Sequence, residues 1–400
     1  MTSSFRPLDG IRVLDLTNVL SGPLACYQIA SMGAEVIKVE PVGRGDLARQ
    51  LGDDRKLNAA NMGASFIAQN AGKRSVTLNL KSPEGAKLFR QLVRTADVVV
   101  ENFRPGVMDR LGLGYEELKK ERPDLIYCAI SGFGQDGPLS ERPAYDQIVQ
   151  GTAGIMSVTG EAPDRPLRVG YPVADSIGGI TAAMAICAAL VAPKRGAFID
   201  VSMMSSVLAT MGWAVSNWLT AGTEPRPIGN ENSTSAPSGA FRCKDGLLNI
   251  TANKQEQWEA LARYLGLEHL IDEPMFRTRD DRKAHRKELL PLIEAKLAEL
   301  EVADCAEKLT ALGVPAGEVL TVPQALAHPQ VTGREQLATF EGVLPDGRPV
   351  KVLRPGFTVD GEPVSTQLPP PLLGADTRQI LSEIGLSDAE LDDLSARGVI

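Results

Sequence analysis

The chain has 400 residues, 43% hydrophobic and 23% charged, with a formal net charge of −8 at pH 7. That length exceeds the usual reach of one hydrophobic core, so two domains are expected, and the acidic balance argues against a nucleic-acid or anionic-membrane surface. Five scattered cysteines without a CxxC pair, and three histidines all beyond residue 268, suggest neither a metal site nor a histidine-based triad.

Residues 11–16 (Ile-Arg-Val-Leu-Asp-Leu) read as a first strand and 23–32 as the helix after it. Further strands are expected at 35–40, 75–80, 97–100 and 125–130. Helices are expected at 83–94, where Pro83 opens an apolar 3.6-residue period, and at 115–121. Such alternation predicts an α/β fold with a Rossmann-like doubly wound sheet in a large domain over 1–222. The longest apolar stretch, 177–193, is broken by glycines and short for a bilayer, so no membrane association is expected. The N-terminus lacks a secretory h-region, and with unpaired cysteines a cytoplasmic location is expected. A polar, Pro/Gly-rich stretch at 223–239 marks a linker into a small α+β domain over 223–330. That domain should hold a hairpin (239–243, Lys-Asp-Gly, 247–251) and helices at 255–265, 282–300 and 302–312. A C-terminal segment, 331–400, carries strands near 339–343 and 350–353, three prolines at 369–371 and a helix from Asp376.

The glycine motifs after the first two strands match neither GxGxxG nor a P-loop, so the sheet does not imply NAD or ATP. Lys38, Lys73, Arg74, Lys81, Arg104 and Arg110 lie within or beside the strands, where converging cations would suit a phosphate-bearing ligand. Phe103 could stack on a purine. Asp175 ends an uncharged run and precedes another, at the start of a helix expected from Ser176. Two readings fit its spacing. One is an N-cap; the other is a nucleophile kept ionised by the same N–H groups and the helix dipole.

Several ordered motifs resemble class III CoA-transferases, the CaiB/BaiF family. They are Pro-Leu-Asp-Gly-Ile-Arg-Val-Leu-Asp-Leu at 7–16, Gly-Ala-Glu-Val-Ile-Lys-Val-Glu at 33–40, Lys-Arg-Ser at 73–75 and Val-Glu-Asn-Phe-Arg-Pro-Gly at 100–106. Ser-Gly-Phe-Gly-Gln-Asp-Gly-Pro at 131–138 and Pro-Pro-Leu-Leu-Gly at 370–374 complete the set. The resemblance covers essentially the whole chain, looks closest to dicarboxylate-specific members, and implies an interlocked homodimer. It implies Asp175 as catalytic nucleophile, with Val19, Leu78, Lys81, Asn102, Phe103, Arg110, Arg142 and Tyr145 as CoA-binding positions. Pro41 and Pro143 stand where relatives carry basic residues. An acyl-CoA, succinyl-CoA being a common donor, and a small carboxylic acid are the implied partners, with no metal or prosthetic group. Arg49 is a candidate for a substrate's distal carboxylate, its competing role being a local salt bridge. Gly229 and Asn230 are candidates in a loop (228–233) whose N–H groups would stabilise oxyanions. An α-methylacyl-CoA racemase of the same fold would carry His-Asp thirty positions before the aspartate. Tyr145-Asp146 stands there instead. A non-catalytic acyl-CoA binding protein is the remaining alternative.

Overall fold

The computed structural model describes residues 5–344 and 346–400. The chain divides into two compact units: residues 1–155, 168–223 and 330–400 form the first, and 156–167 with 224–329 the second.

The first unit is built on six parallel strands, β1 (Arg12–Asp15), β2 (Glu35–Glu40), β3 (Lys73–Thr77), β4 (Val98–Glu101), β5 (Ile126–Ser131) and β6 (Ala197–Ser202), in the order 3-2-1-4-5-6. β1, β2, β4 and β5 are buried nearly throughout. β4 and β5 therefore read as nearly continuous apolar runs, the pattern of strands covered on both faces, whereas β1 and β2 carry buried charges (Asp15, Lys38, Glu40) among their Val, Leu and Ile residues. β6 is an edge strand with exposed Phe198 and Asp200, and its Ala-Phe-Ile-Asp-Val-Ser lacks that signature, so it escaped the sequence reading. β3 begins at Lys73, two residues earlier than expected.

The connections are helical: α1 (Ser21–Ser31), α2 (Arg55–Ala59), α3 (Ala64–Asn70), α4 (Pro83–Val93), α5 (Val107–Arg110), α6 (Tyr115–Glu121), α7 (Asp146–Thr152) and α8 (Val173–Val191); α9 (Met203–Thr210) and α10 (Trp213–Ala221) follow β6. α4 starts where its signals put it. Ser82 Oγ accepts the Gly85 N–H at 3.0 Å and Pro83 occupies the first turn, a cap that contributes about 1 kcal/mol. One face of the sheet packs Leu14, Ile37 and Tyr127 against α4 (Phe89, Leu92), α6 (Leu118) and two C-terminal helices, Thr377–Glu383 and Asp388–Ala396. The other face packs Val13, Val36 and Val98 against α1 and α8. α8 lies close to α1 because Gly179 has no side chain: a Cβ there would collide with the Ser21 carbonyl. A two-stranded antiparallel sheet, Leu337–Phe340 with Val350–Leu353, completes this unit's hydrophobic interior near Phe66.

The second unit has a three-stranded antiparallel sheet, β7 (Ser238–Arg242), β8 (Leu247–Thr251) and β9 (Ala316–Glu318), packed with helices around the buried Trp258. Two expectations change here. The helix expected over 282–300 is two helices, Arg279–Ala284 and Arg286–Leu297, meeting at a non-helical His285. Residues 156–167, expected in the large domain, belong to this unit, where Gly160 O accepts the Gly229 N–H at 2.7 Å.

Candidate active site

In a 3-2-1-4-5-6 sheet the crevice forms where the chain direction reverses, at the carboxyl ends of β1 and β4. Here the Asn102 side chain bridges that crevice. Its Oδ1 accepts the Asn18 N–H and its Nδ2 donates to Asn18 O, both at 2.8 Å. The next residue, Val19, has φ +66°, a conformation unfavourable for a β-branched side chain. Asp46 Oδ1 accepts its N–H at 2.9 Å, and Lys38 Nζ donates to Thr17 O at 2.7 Å, so the turn is held from both sides. Strain maintained by surrounding bonds is a mark of functional loops.

Beneath this crevice lies a buried ionic layer. Lys73 pairs with Asp15 at 2.8 Å, Lys38 with Asp46 at 3.0 Å and Arg49 with Glu40 at 2.7 Å. Burial alone would raise Asp15, but Lys38 and Lys73 outweigh it and hold the carboxyl down to about 2. Several expected ligand contacts are corrected by this layer. Lys38 and Lys73 are buried and cannot meet a phosphate, while Arg74 near the start of β3 pairs with Glu35 and Glu383. Arg49 is fully buried, with Nε and Nη2 on the two Glu40 oxygens, Nη1 on the carbonyls of Asn61 and Pro371, and the guanidinium 3.7 Å from the Phe66 ring centroid. It is the local salt bridge, not a free partner for a substrate carboxylate. Leu78 belongs to the core at 1% exposure, so its side chain is not available to CoA.

Val19, Asn102, Phe103, Lys81, Arg110, Arg142 and Tyr145 all follow the carboxyl ends of β1, β3, β4 and β5. Lys81, Arg104, Arg110 and Arg142 are the exposed cations there, Phe103 is half-buried, and Tyr145 is 69% exposed. Gly229 and Asn230 lie in the second unit, in the wall of a cavity of about 310 Å³ with Glu161 and Glu294. The N–H groups of Gly229, Glu231 and Asn232 already donate to Gly160, Ile228 and Ser238 carbonyls, which removes them as ready oxyanion donors.

Asp175 lies inside the first turn of α8, whose N-cap is Pro172, and does not cap the helix. The capping group comes from α7. Asp146 Oδ1 accepts the N–H groups of Ala174 at 2.8 Å and Asp175 at 3.4 Å, while Oδ2 accepts Gln150 Nε2 at 2.7 Å. Gln150 Oε1 in turn accepts the Val169 N–H at 2.9 Å. No donor among the described residues reaches the Asp175 carboxyl. Burial first, and then the Asp146 charge, push it up to about 7. The expectation that helix N–H groups keep it ionised is thus reversed, because a neighbouring carboxylate occupies them. Sequence reading missed this role of Asp146; its only one-dimensional signal is an acidic first residue with Gln four positions on.

Known proteins resemble the chain over most of its length. The family model described as CoA-transferase family III matches residues 8–377. The chain belongs to CoA-transferase family III. Acetyl-CoA:oxalate CoA-transferase of Acetobacter aceti is 41% identical over 86% of this chain and 89% of its own. Succinyl-CoA:glutarate CoA-transferase of Mus musculus is 35% identical over 99% of this chain and 91% of its own. The crystal structure of a CaiB/BaiF family protein from Brucella suis matches with a TM-score of 0.84 at 34% identity, covering 94% of this chain and 99% of that one. The protein is therefore a CoA-transferase, and CoA thioesters are the substrates of that class.

For the enzyme, an elevated Asp175 has a direct kinetic consequence. A carboxyl attacks only when ionised, so if Asp175 is the attacking group kcat/KM for acyl-CoA should rise with unit slope up to about pH 7 and level off above it. Asp146→Asn removes the negative charge, while its amide oxygen can still accept the Ala174 N–H. The limb should then move to lower pH. A limb left in place in a stopped-flow pH series would remove Asp146 from the electrostatics of Asp175.

Proposed function

We propose that the enzyme moves CoA from an acyl-CoA to a free carboxylate by covalent catalysis at Asp175, with a dicarboxylate as acceptor and succinyl-CoA as the leading donor. The observation that carries this reading is the Asp175 carboxyl itself: largely desolvated, reached by no donor among the described residues, and poised near neutrality on a helix start that Asp146 organises. A carboxylate stripped of hydrogen bonds is a better nucleophile than one in water.

The ionised carboxylate attacks the thioester carbonyl, the C–S bond breaks, and CoA leaves as thiolate from a mixed anhydride. The thiolate then attacks the aspartyl carbonyl, releases the donor acid and leaves an aspartyl-CoA thioester. The acceptor carboxylate attacks that thioester and expels the thiolate again. Attack of the thiolate on the acceptor's acyl carbon restores Asp175. Val19, Asn102, Phe103, Lys81, Arg110, Arg142 and Tyr145 are the proposed CoA-binding positions, the cations serving the phosphates. Support for dicarboxylates comes from the relatives named above, whose names carry oxalate and glutarate.

The test is a donor–acceptor matrix with mass-spectrometric readout of CoA thioesters. Succinyl-CoA with glutarate or oxalate should turn over at least about tenfold faster than with matched monocarboxylates, one good contact to the second carboxylate being enough for that. Faster monocarboxylates would overturn the acceptor class while leaving the transferase in place.

Homodimerisation is part of the same proposal. In the first unit α8 and α10 each leave large apolar side chains exposed: Ile180, Met184 and Val191 on one, Trp213, Trp218 and Leu219 on the other, Trp213 to 63% and Val191 to 82%. α8 is also long and apolar enough to cross a membrane by composition alone, though part of it packs against α1. An apolar area of this kind calls for a covering partner. Light scattering should give twice the chain mass of 42.8 kDa; a monomer would refute it.

A further inference from the structure

On the face of the sheet that carries α4 and α6, near the edge strand β6, lies a cavity of about 290 Å³ lined by neither Asp175 nor any of the proposed CoA-binding residues. Its walls include Glu101 at the end of β4, Tyr127 of β5, Phe198 of β6, Tyr115 of α6, Asp109 of α5 and Gln135. The Tyr127 and Phe198 rings stack at 5.8 Å, and Tyr115 tilts against them at 6.0 and 5.5 Å.

Glu101 is the anomaly. The other deeply buried carboxylates of the ionic layer, Asp15, Asp46 and Glu40, each have a cation within 3.0 Å. Glu101 is just as inaccessible, at 5% exposure, yet has no ion-pair partner among the described residues. Its Oε2 accepts the Phe103 N–H at 2.7 Å, but Oε1 has only the Tyr127 hydroxyl, at 3.5 Å. On the same wall, the Gln135 side-chain nitrogen is buried without a partner. No Lys, Arg or His lines the cavity. Of the nearby cations, Lys119 pairs with Glu116 at 2.6 Å and sits 5.2 Å from the Tyr115 ring centroid, and Arg110 packs its Nη1 against Gly106 of the wall. Aromatic faces beside an unpaired buried acid are the recognition elements for an organic cation. A metal ion fits less well, since no group of three His, Cys, Asp or Glu side chains among the described residues is placed to hold one.

We propose that this cavity binds a small protonated amine, whose N–H groups reach Glu101 Oε1 and whose carbon skeleton lies against Tyr115, Tyr127 and Phe198. Burial first, with the charges of Asp109 and Asp200 adding to it, raises the Glu101 carboxyl to about 8. The groups facing it are thus Asp109 from α5, Asp200 from β6, and Tyr127 and Cys128 from β5, with the Glu116–Lys119 pair on α6. Near pH 7 the acid is mostly protonated when the cavity is empty. Arrival of an ammonium ion favours the carboxylate, and the displaced proton leaves to the buffer.

The test is calorimetry on the full-length enzyme with n-butylammonium chloride at pH 7, in two buffers of different ionisation enthalpy, with sodium chloride as control. Saturable binding with net proton release that disappears by pH 9 is expected. Glu101→Gln should weaken it about tenfold or more, as for loss of a charged hydrogen bond. Phe198→Ala, at the half-exposed rim, should also weaken it without altering CoA transfer, and serves if the Glu101 variant folds poorly. No saturable heat, equal binding to Glu101→Gln, or a sodium control that reproduces the signal would overturn the proposal.

Discussion

Asp175→Ala should lower CoA transfer by at least about 10⁴-fold, the scale on which loss of a covalent nucleophile is felt, while CoA binding persists. The separation is expected because the proposed CoA positions follow β1, β3, β4 and β5, whereas Asp175 belongs to the first turn of α8. The variant loses no hydrogen bond made by the side chain, since the cap of α8 belongs to Asp146. Its fold should therefore survive, and a melting curve close to the parent's is the control. Intact-protein mass spectrometry supplies the decisive comparison. With acyl-CoA the parent should accumulate a CoA adduct at Asp175, and the variant none. Unchanged turnover would end the covalent mechanism. Incubation in deuterium oxide guards the other flank: exchange of the substrate's α-proton in the parent would restore the racemase-type reading, with Asp146 beside Asp175 as the acid/base pair.

Arg49→Met should cost about 3–5 kcal/mol of unfolding free energy, the usual penalty for leaving a buried charge without its partner. Of its hydrogen bonds Glu40 would keep only those from the Asp46 N–H and the Ser75 hydroxyl, with Lys38, already paired with Asp46, the remaining cation nearby. The carbonyls of Asn61 and Pro371 would lose their donor, and Phe66 its stacked cation. Urea denaturation measures the loss. Pairing the change with Glu40→Gln should recover part of it, because the uncompensated charge is then gone. A loss below about 1 kcal/mol, together with a KM increase confined to dicarboxylates, would return Arg49 to the substrate.

The sheet was legible from the sequence at β1, β2, β4 and β5, where Val, Leu and Ile cluster in short segments that alternate with helical periods. It was not legible at β6, an edge strand whose Ala-Phe-Ile-Asp-Val-Ser exposes Phe198 and Asp200 and directly follows the long apolar stretch of α8. Asp175 stood out because a lone acid in an uncharged stretch is a one-dimensional anomaly. What surrounds it did not stand out. The Asp146–Ala174 bond spans 28 residues and the Lys73–Asp15 bond 58, and spacing alone reveals neither. The same blindness applied to the cations: Lys38 and Lys73 look like phosphate ligands in sequence and are counter-ions in three dimensions. The motif at 370–374 gains a physical meaning from the same layer. Pro371 O receives the Arg49 guanidinium, and the Gly374 N–H binds Ser75 Oγ, which itself donates to Glu40.

Asn79, two residues before Lys81, donates its N–H to Val399 O at 2.8 Å, and Ile380, Leu391 and Val399 pack beneath β3 and α4. A ribosome adding about 5–20 residues per second releases the β3 edge well before the residues that complete it. Through that interval the apolar face of the first unit has no lid, and the pairing that closes it is among the most distant in the molecule. Slow maturation is the expected result. A chain halted before Thr377 would leave the β3 edge beside Lys81, one of the proposed CoA-binding positions, without its cover.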